Sequence, residues 1–181
     1  MLVFWQPALP GRGRERIHRP MTSMTRENPA ATIAELKGRM ARGARLLGLD
    51  VGTKTIGLAL SDTTLTVASA METIRRGKFA SDAARIAEIV TTQGVGGFVL
   101  GLPINMDGSE GPRCQSVRQF ARNLAGRVPL PYLLWDERLS TAAVTRAMID
   151  ADLSRKRRSE TVDKVAAAYI LQGALDAGVA R

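Results

Sequence analysis

Three sets of acidic residues occupy positions where a carboxylate could do chemistry. Asp50 interrupts an apolar run, Asp136 and Glu137 close a later one, and Asp163 lies in the first turn of a predicted helix. An unpaired charge inside a strand costs several kcal/mol of desolvation, so Asp50 requires a compensating partner. A bound cation is such a partner, and ligands that are all oxygen favour Mg²⁺ or Mn²⁺ over zinc. Two such ions about 3.5–4 Å apart would activate water for phosphodiester hydrolysis.

Each of these residues also has an ordinary structural interpretation. Asp163 could complement the helix dipole in an amino-terminal turn. Glu137 and Arg138 could form a surface ion pair at a strand end, and Lys54 could be a turn residue and no more. Asp50 is the hardest to explain in this way because strand interiors disfavour aspartate.

Other chemistries lack the residues that they need. The single histidine, His18, lies in the amino-terminal extension that is expected to be disordered, so a Ser-His-Asp or Cys-His arrangement is not expected in the core. Cys114 is the single cysteine and cannot build a zinc site by itself. The chain contains no GxxxxGK[ST] loop for a nucleotide triphosphate. Metal-bound water is therefore the natural nucleophile, and the residues favour metal-assisted hydrolysis.

The elements that would position the acids begin with a hairpin at residues 46–62, LLGLDVGTKTIGLALSD, in which two apolar runs flank a short polar turn. A third strand is expected at 67–74. Helical spacing then extends from Phe79 to Gly94, and residues 95–103 form an apolar run ended by proline. A strand, a helix and a strand make a crossover unit, so we expect the last of these strands to lie parallel to the first.

A polar loop follows this strand and contains Asn105, Asp107 and Ser109. Ligands in α/β sheets bind at the carboxyl ends of strands. The helix predicted from Cys114 to Gly126 would direct its free N–H groups toward a phosphate in the loop. A turn-rich loop without a ligand remains the alternative.

The last part of the chain supplies the remaining acids. A strand at 130–135 ends at Asp136, Glu137 and Arg138, and a helix capped by Ser140 or Thr141 is expected next. A basic run with no apolar anchor then precedes a final helix at 161–177. This run comprises Arg155, Lys156, Arg157 and Arg158.

Charge and composition predict one folded domain with a basic extension. Of the 26 basic and 17 acidic residues, nine and three lie within residues 1–45, so the net charge of +9 divides into +6 there and +3 in the remainder. We expect residues 1–44 to be a disordered extension with a possible short helix at 31–40, and residues 45–181 to form the domain. No apolar run reaches the roughly 20 residues of a membrane span. One cysteine fits a reducing cytoplasm.

Four motifs taken together resemble a known family. LLGLDVGTKTIGLALSD, GLPINMDGS, the DER of Asp136 to Arg138, and VDKVAAAYIL look like the YqgF/RuvX family of pre-16S rRNA nucleases, in order, over roughly Arg45 to Leu175. The resemblance implies an α/β RNase H-like fold, a mixed five-stranded sheet flanked by helices, shared with Holliday junction resolvases. It also implies a cytoplasmic bacterial enzyme that trims the 5′ end of small-subunit ribosomal RNA.

The resemblance assigns catalytic roles to Asp50, Asp136, Glu137 and Asp163. Of these, Asp50, Glu137 and Asp163 are expected to bind Mg²⁺ or Mn²⁺ in a two-metal site. Junction resolvases of this fold carry an acid on the strand that corresponds to FVLGLP, which has none here. Either Glu137 substitutes from the neighbouring strand or Asp107 does so from the loop, and we favour Glu137.

Three functions remain open at this stage. The first is an endonuclease for structured RNA, namely pre-16S rRNA in pre-ribosomal particles, acting as a monomer or homodimer and not at a membrane. The others are a dimeric resolvase of DNA four-way junctions and a ribosome-assembly factor that binds RNA without cleaving it. A sugar kinase or actin-like loop at DVGTKTIG is disfavoured because those proteins need two such domains. The expected substrate-binding residues are Lys54, Asn105, Ser109, Arg138, Arg155, Lys156, Arg157 and Arg158.

Overall fold

A computed structural model describes residues 29–139 and 155–179, without the side chains of residues 155–162. The extension up to residue 28 and the helix expected after Ser140 lie outside the described residues. A mixed five-stranded sheet forms the centre, in the order β3-β2-β1-β4-β5. Its strands are β1 (Arg45–Val51), β2 (Thr55–Ser61), β3 (Ala68–Arg75), β4 (Val95–Leu102) and β5 (Tyr132–Asp136).

Strand pairing follows the pattern predicted for the hairpin and the crossover. β1 and β2 are antiparallel, with Asp50 opposite Gly57. In the turn between them, the backbone N–H of Gly52 donates to the carbonyl of Thr55 at 2.9 Å. β1 and β4 are parallel, and so are β4 and β5. The expected mixed sheet of five strands is therefore confirmed, and the carboxyl ends of β1, β4 and β5 share one edge.

The helices are α1 (Ile33–Gly38), α2 (Phe79–Gln93), α3 (Pro112–Arg127) and α4 (Arg155–Ala177), and a 3₁₀ turn spans Glu137–Leu139. α2 ends at Gly94, whose φ of 66° is the left-handed conformation that glycine adopts most easily. α3 begins with a proline in its first turn, where the missing N–H removes no helical hydrogen bond. None of the described helices is long and apolar enough to cross a bilayer.

The sheet carries a hydrophobic layer on each face. Leu47, Leu49 and Val51 point toward α2 and α3, while Leu46 packs with α4. Because successive side chains of a strand alternate between faces, Gly48 and Asp50 share the α4 face with Leu46. A Cβ on Gly48 would lie 2.8 Å from the Cβ of Leu171, so α4 rests directly on β1.

α4 includes residues that the sequence pattern left outside a helix. The sequence predicts a basic run outside any helix and a final helix from Thr161, whereas the backbone is helical from Arg155. Arginine and lysine are good helix formers, and neither glycine nor proline interrupts this run. The basic residues therefore lie on the same helix as Asp163.

The segment before β1 packs against the domain. Ile33 and Leu36 are buried in the same layer as α4, and the N–H of Ala30 donates to the carbonyl of Tyr132 at 2.7 Å, which adds an isolated bridge beside β5. The short helix thus covers one end of the sheet. The boundary expected at residue 44 falls inside this packed region, because α1 provides apolar side chains to a layer that β5 and α4 share.

Candidate active site

Asp50 is buried on the α4 face near the carboxyl end of β1, with 5% of its surface exposed. Its antiparallel neighbour is Gly57 of β2. In the parallel pairing, Leu49 lies beside Leu100, so the next step of the register places Asp50 beside Gly101 of β4. Asp50 therefore projects from the sheet between two glycines. Glycine inside a strand marks a close approach of other groups, and both positions have one.

The backbone of Asp163 fills the space above Gly57. A Cβ on that glycine would lie 2.0 Å from the carbonyl oxygen of Asp163, so no larger residue fits without moving α4. Gly57 pairs with Asp50 across one strand spacing of about 4.8 Å, so this turn of α4 lies over the strand next to Asp50. Oδ2 of Asp163 is buried and has no hydrogen-bond partner among the described residues.

Glu137 occupies the corresponding space above Gly101. A Cβ on Gly101 would lie 2.6 Å from Oε1 of Glu137 and 2.6 Å from Cδ1 of Ile170 on α4. The 3₁₀ turn after β5 thus returns the Glu137 carboxylate over β4, toward the strand that carries Asp50. Glu137 and Asp163 therefore approach Asp50 from opposite sides, each over a glycine of a neighbouring strand.

Asp136 points away from this group. Its partner in the sheet is Leu102, whose side chain belongs to the core beneath α2 and α3. The Arg138 guanidinium donates to both oxygens of Asp136, at 2.6 Å from Nη2 to Oδ2 and 3.1 Å from Nε to Oδ1. These hydrogen bonds lower the pKa of Asp136, although partial burial opposes the shift. In this arrangement the carboxylate of Asp136 serves to anchor Arg138.

The predicted phosphate-binding side chains of the loop after β4 bind one another. Nδ2 of Asn105 lies 2.9 Å from Oγ of Ser109, and that hydroxyl donates to Oδ1 of Asp107 at 2.6 Å. The Ser109 hydroxyl, helped by its backbone N–H, lowers the pKa of Asp107. Arg138 lies beside the loop, since a Cβ on Gly108 would be 3.7 Å from its Nη1. The loop is therefore a closed turn next to the Asp136–Arg138 pair.

The remaining predicted binding residues lie around the same edge. Lys54 is exposed in the turn after β1, and its carbonyl accepts from the N–H of Arg76 at 2.9 Å. The four cations of residues 155–158 lie in the first turn of the described part of α4, and their side chains are outside the description.

Asp50, Glu137 and Asp163 have the oxygen donors that a hard divalent cation prefers, but they do not form a complete set of metal ligands in this structure. In the described part of the chain, no three acidic, cysteine or histidine side chains converge on one point. The side chains of Asp50, Glu137 and Asp163 would offer only carboxylate oxygens, which suit Mg²⁺ or Mn²⁺. The buried, unpartnered Oδ2 of Asp163 is an acceptor that a cation would satisfy.

Two glycines escaped the sequence-based site prediction although the chain carried a signal for them. Gly57 and Gly101 each interrupt an apolar strand, a position where glycine weakens a sheet unless something approaches closely. Their contacts define which acids can reach Asp50. Pairing the strand acid with the glycines of neighbouring strands would have supplied a geometric reason for the preference for Glu137.

The sheet order, with a helix on each face, is that of an RNase H-like fold. A solved structure titled "T. thermophilus RuvC in complex with Holliday junction substrate" has this fold, with a TM-score of 0.50, 14% identity, and 75% of this chain and 96% of that chain covered. The chain belongs to the RuvX family, since the sequence model described as "RuvX: Holliday junction resolvase" matches residues 44–177.

Curated relatives are similar over most of their length. A protein of Paramagnetospirillum magneticum is 62% identical over 148 residues, which cover 82% of this chain and 96% of the relative. A protein of Roseobacter denitrificans is 64% identical over 133 residues, covering 72% and 82%. Both carry the name "Putative pre-16S rRNA nuclease". The family expected from the four motifs is thus confirmed.

Proposed function

We propose that this protein is a metal-dependent endonuclease that processes the 5′ end of pre-16S rRNA in pre-ribosomal particles. The observation that carries this proposal is the position of Asp50, buried between two strand glycines that admit Glu137 and Asp163 to the same face. The substrate is inferred from the relatives, whose names refer to pre-16S rRNA. We place the protein in the cytoplasm, where this RNA is made.

Asp50 and Glu137 would hold the metal, and Asp163 would complete its ligands. A divalent ion in this position supplies a water of lowered pKa and neutralises charge on the leaving oxygen. Asp50 is rigid because its strand is paired on both sides, whereas Glu137 is delivered by a single 3₁₀ turn. Lys54, Arg138 and the basic first turn of α4 would bind the flanking phosphates.

A DNA four-way junction is the second candidate substrate. The matching family model is described as a Holliday junction resolvase, and the solved structure of similar fold is a complex with a Holliday junction substrate. Junction cleavage needs two strands cut by paired active sites and therefore favours a homodimer. An RNA-processing enzyme can act as a monomer, so stoichiometry on the substrate separates the two. Binding without cleavage would identify an assembly factor.

The test is a cleavage assay with matched substrates and a matched control variant. Purified protein is incubated with precursor rRNA, an RNA duplex of equal length and a synthetic DNA junction, in Mg²⁺, Mn²⁺ or EDTA. Asp50→Asn is compared with Glu88→Gln, which neutralises an exposed acid of α2. We expect wild type and Glu88→Gln to cut precursor rRNA with metal only, and Asp50→Asn to be slower by a factor of about 100 or more.

Thermal unfolding must accompany the assay. Asp50→Asn keeps the size and shape of this buried side chain, so a melting temperature close to that of the wild type shows that a lost cleavage rate reflects the missing carboxylate and not unfolding. A variant that cleaves at the wild-type rate would eliminate the proposed metal site. Preferential cutting of the junction by a dimer would instead assign the second function.

A further inference from the structure

A pocket of about 240 Å³ opens on the opposite side of the β1 turn from Asp50. Its walls are the end of β1, Gly52 and Thr53 of the turn, Arg76 after β3, and Arg113 and Ser116 in the first turns of α3. None of the residues that line it is acidic. The pocket thus combines two arginines with the turn after β1 and two hydroxyl-bearing residues, Thr53 and Ser116.

Arg76 is held in a fixed position. Its Nη1 donates to the carbonyl of Gly52 at 2.8 Å, and its guanidinium carbon lies 5.5 Å from the ring centroid of Phe120. The backbone N–H of Arg76 donates to the carbonyl of Lys54. A guanidinium has five N–H donors, and the hydrogen bond to Gly52 uses one of them. Most of the guanidinium donors of Arg76 therefore remain for a ligand.

The two arginines are not neutralised by acids in the described part of the chain. Neither Arg76 nor Arg113 forms an ion pair there, and the acid nearest the start of α3, Glu110, is already paired with Arg118. Two guanidinium groups that face one pocket repel each other unless an anion lies between them. Their planar forks match the geometry of phosphate oxygens.

We infer that this pocket binds a backbone phosphate of the nucleic-acid substrate, next to the phosphate that is cleaved. Gly52 is two residues beyond Asp50, which limits their separation along the chain to about 7 Å. Asp50 faces α4 and the pocket faces α3, so a strand that crosses the carboxyl edge of the sheet contacts both. The inference rests on the proposed nuclease function for the identity of the ligand, and on the arginines for the chemistry of the site.

The test measures binding separately from cleavage. Arg113→Gln is made in the Asp50→Asn background and compared with Arg122→Gln, an exposed arginine on the same helix that does not line the pocket. We expect Arg113→Gln to weaken binding of the precursor RNA about tenfold at low salt and to reduce the slope of log K against log salt by about one. Arg122→Gln should leave both close to the parent values. Equal effects of the two variants would overturn the assignment.

A second arm distinguishes a substrate phosphate from a free anion. Amide resonances of the wild-type protein are followed during titration with inorganic phosphate, with and without a short RNA strand. We expect shifts at Gly52 and Thr53 that the RNA competes away. Tight phosphate binding that leaves RNA affinity unchanged would identify a free-anion site and overturn the inference. Because these readouts are binding constants, they stand even if the Asp50→Asn cleavage test fails.

Discussion

The carbonyl oxygen of Asp163 lies directly over Gly57, 2.0 Å from the point where a β-carbon on that glycine would be. This contact joins the amino-terminal half of α4 to β2 next to Asp50. It sets the height of the helix above the sheet and therefore the position of the Asp163 carboxylate. A strand glycine and a helix acid, 106 residues apart in sequence, thus determine whether the site can form.

Gly57→Ala should displace α4 and disrupt the site. The added methyl group would overlap a backbone oxygen that cannot rotate away, so we expect the free energy of unfolding to fall by about 3 kcal/mol. Urea denaturation measures this loss, and nuclease activity should fall further than stability explains. Gly126→Ala is the control, because no atom lies within 4 Å of its new β-carbon. That helical change should stabilise by about 0.4–1 kcal/mol. Equal stabilities of the two variants would refute the contact.

Glu137 and Asp107 are the two candidates for the acid missing from β4, and their contacts separate them. Oε1 of Glu137 lies over Gly101, whereas Asp107 is exposed and accepts hydrogen bonds from Ser109. We expect Glu137→Gln to slow cleavage about 100-fold and Asp107→Asn to change it less than about threefold. Single-turnover assays at saturating enzyme measure both rates. A larger effect from Asp107→Asn would reverse the assignment.

The sequence predicted the sheet, the parallel crossover and the position of Asp50, because apolar periodicity and glycine punctuation are local signals. It assigned catalytic roles to both Asp136 and Glu137, and metal binding to Glu137. Neighbouring residues at a strand end point to opposite faces, so only one of them can face Asp50, and the register with β4 decides which. Arg76 and Arg113 also escaped notice because they meet only in the folded chain.

The Asp136–Arg138 ion pair should make the free energy of unfolding depend on pH. Arg138 lowers the pKa of Asp136 in the folded protein, so the pair contributes stability above the unfolded value of about 3.9 and loses it as pH falls below that value. Arg138→Gln should therefore be less stable than wild type at pH 7, and the difference should shrink toward pH 3. Chemical denaturation at both pH values measures it. Arg122→Gln, whose side chain contacts Gln119, serves as the control with no pH-dependent difference. If the stability difference between Arg138→Gln and wild type is the same at both pH values, the ion pair with Asp136 is not the cause of that difference.

The four cations that open the described part of α4 should carry much of the salt dependence of RNA binding. They lie on the helix that also positions Asp163, so phosphates held there would lie near the acids proposed to bind metal. Changing all four to glutamine should reduce the slope of log K against log salt by about 3, at roughly 0.7–0.9 per phosphate contact.

The matched control removes four exposed cations elsewhere, so that both variants lose the same net charge. These are Arg42, Lys78, Arg122 and Arg127. Filter-binding titrations from low to physiological salt supply the two slopes. If local phosphate contacts matter, the α4 variant alone shows the large decrease. If both variants lose the same slope, the basic residues act only through net charge, and the start of α4 is not part of the RNA interface.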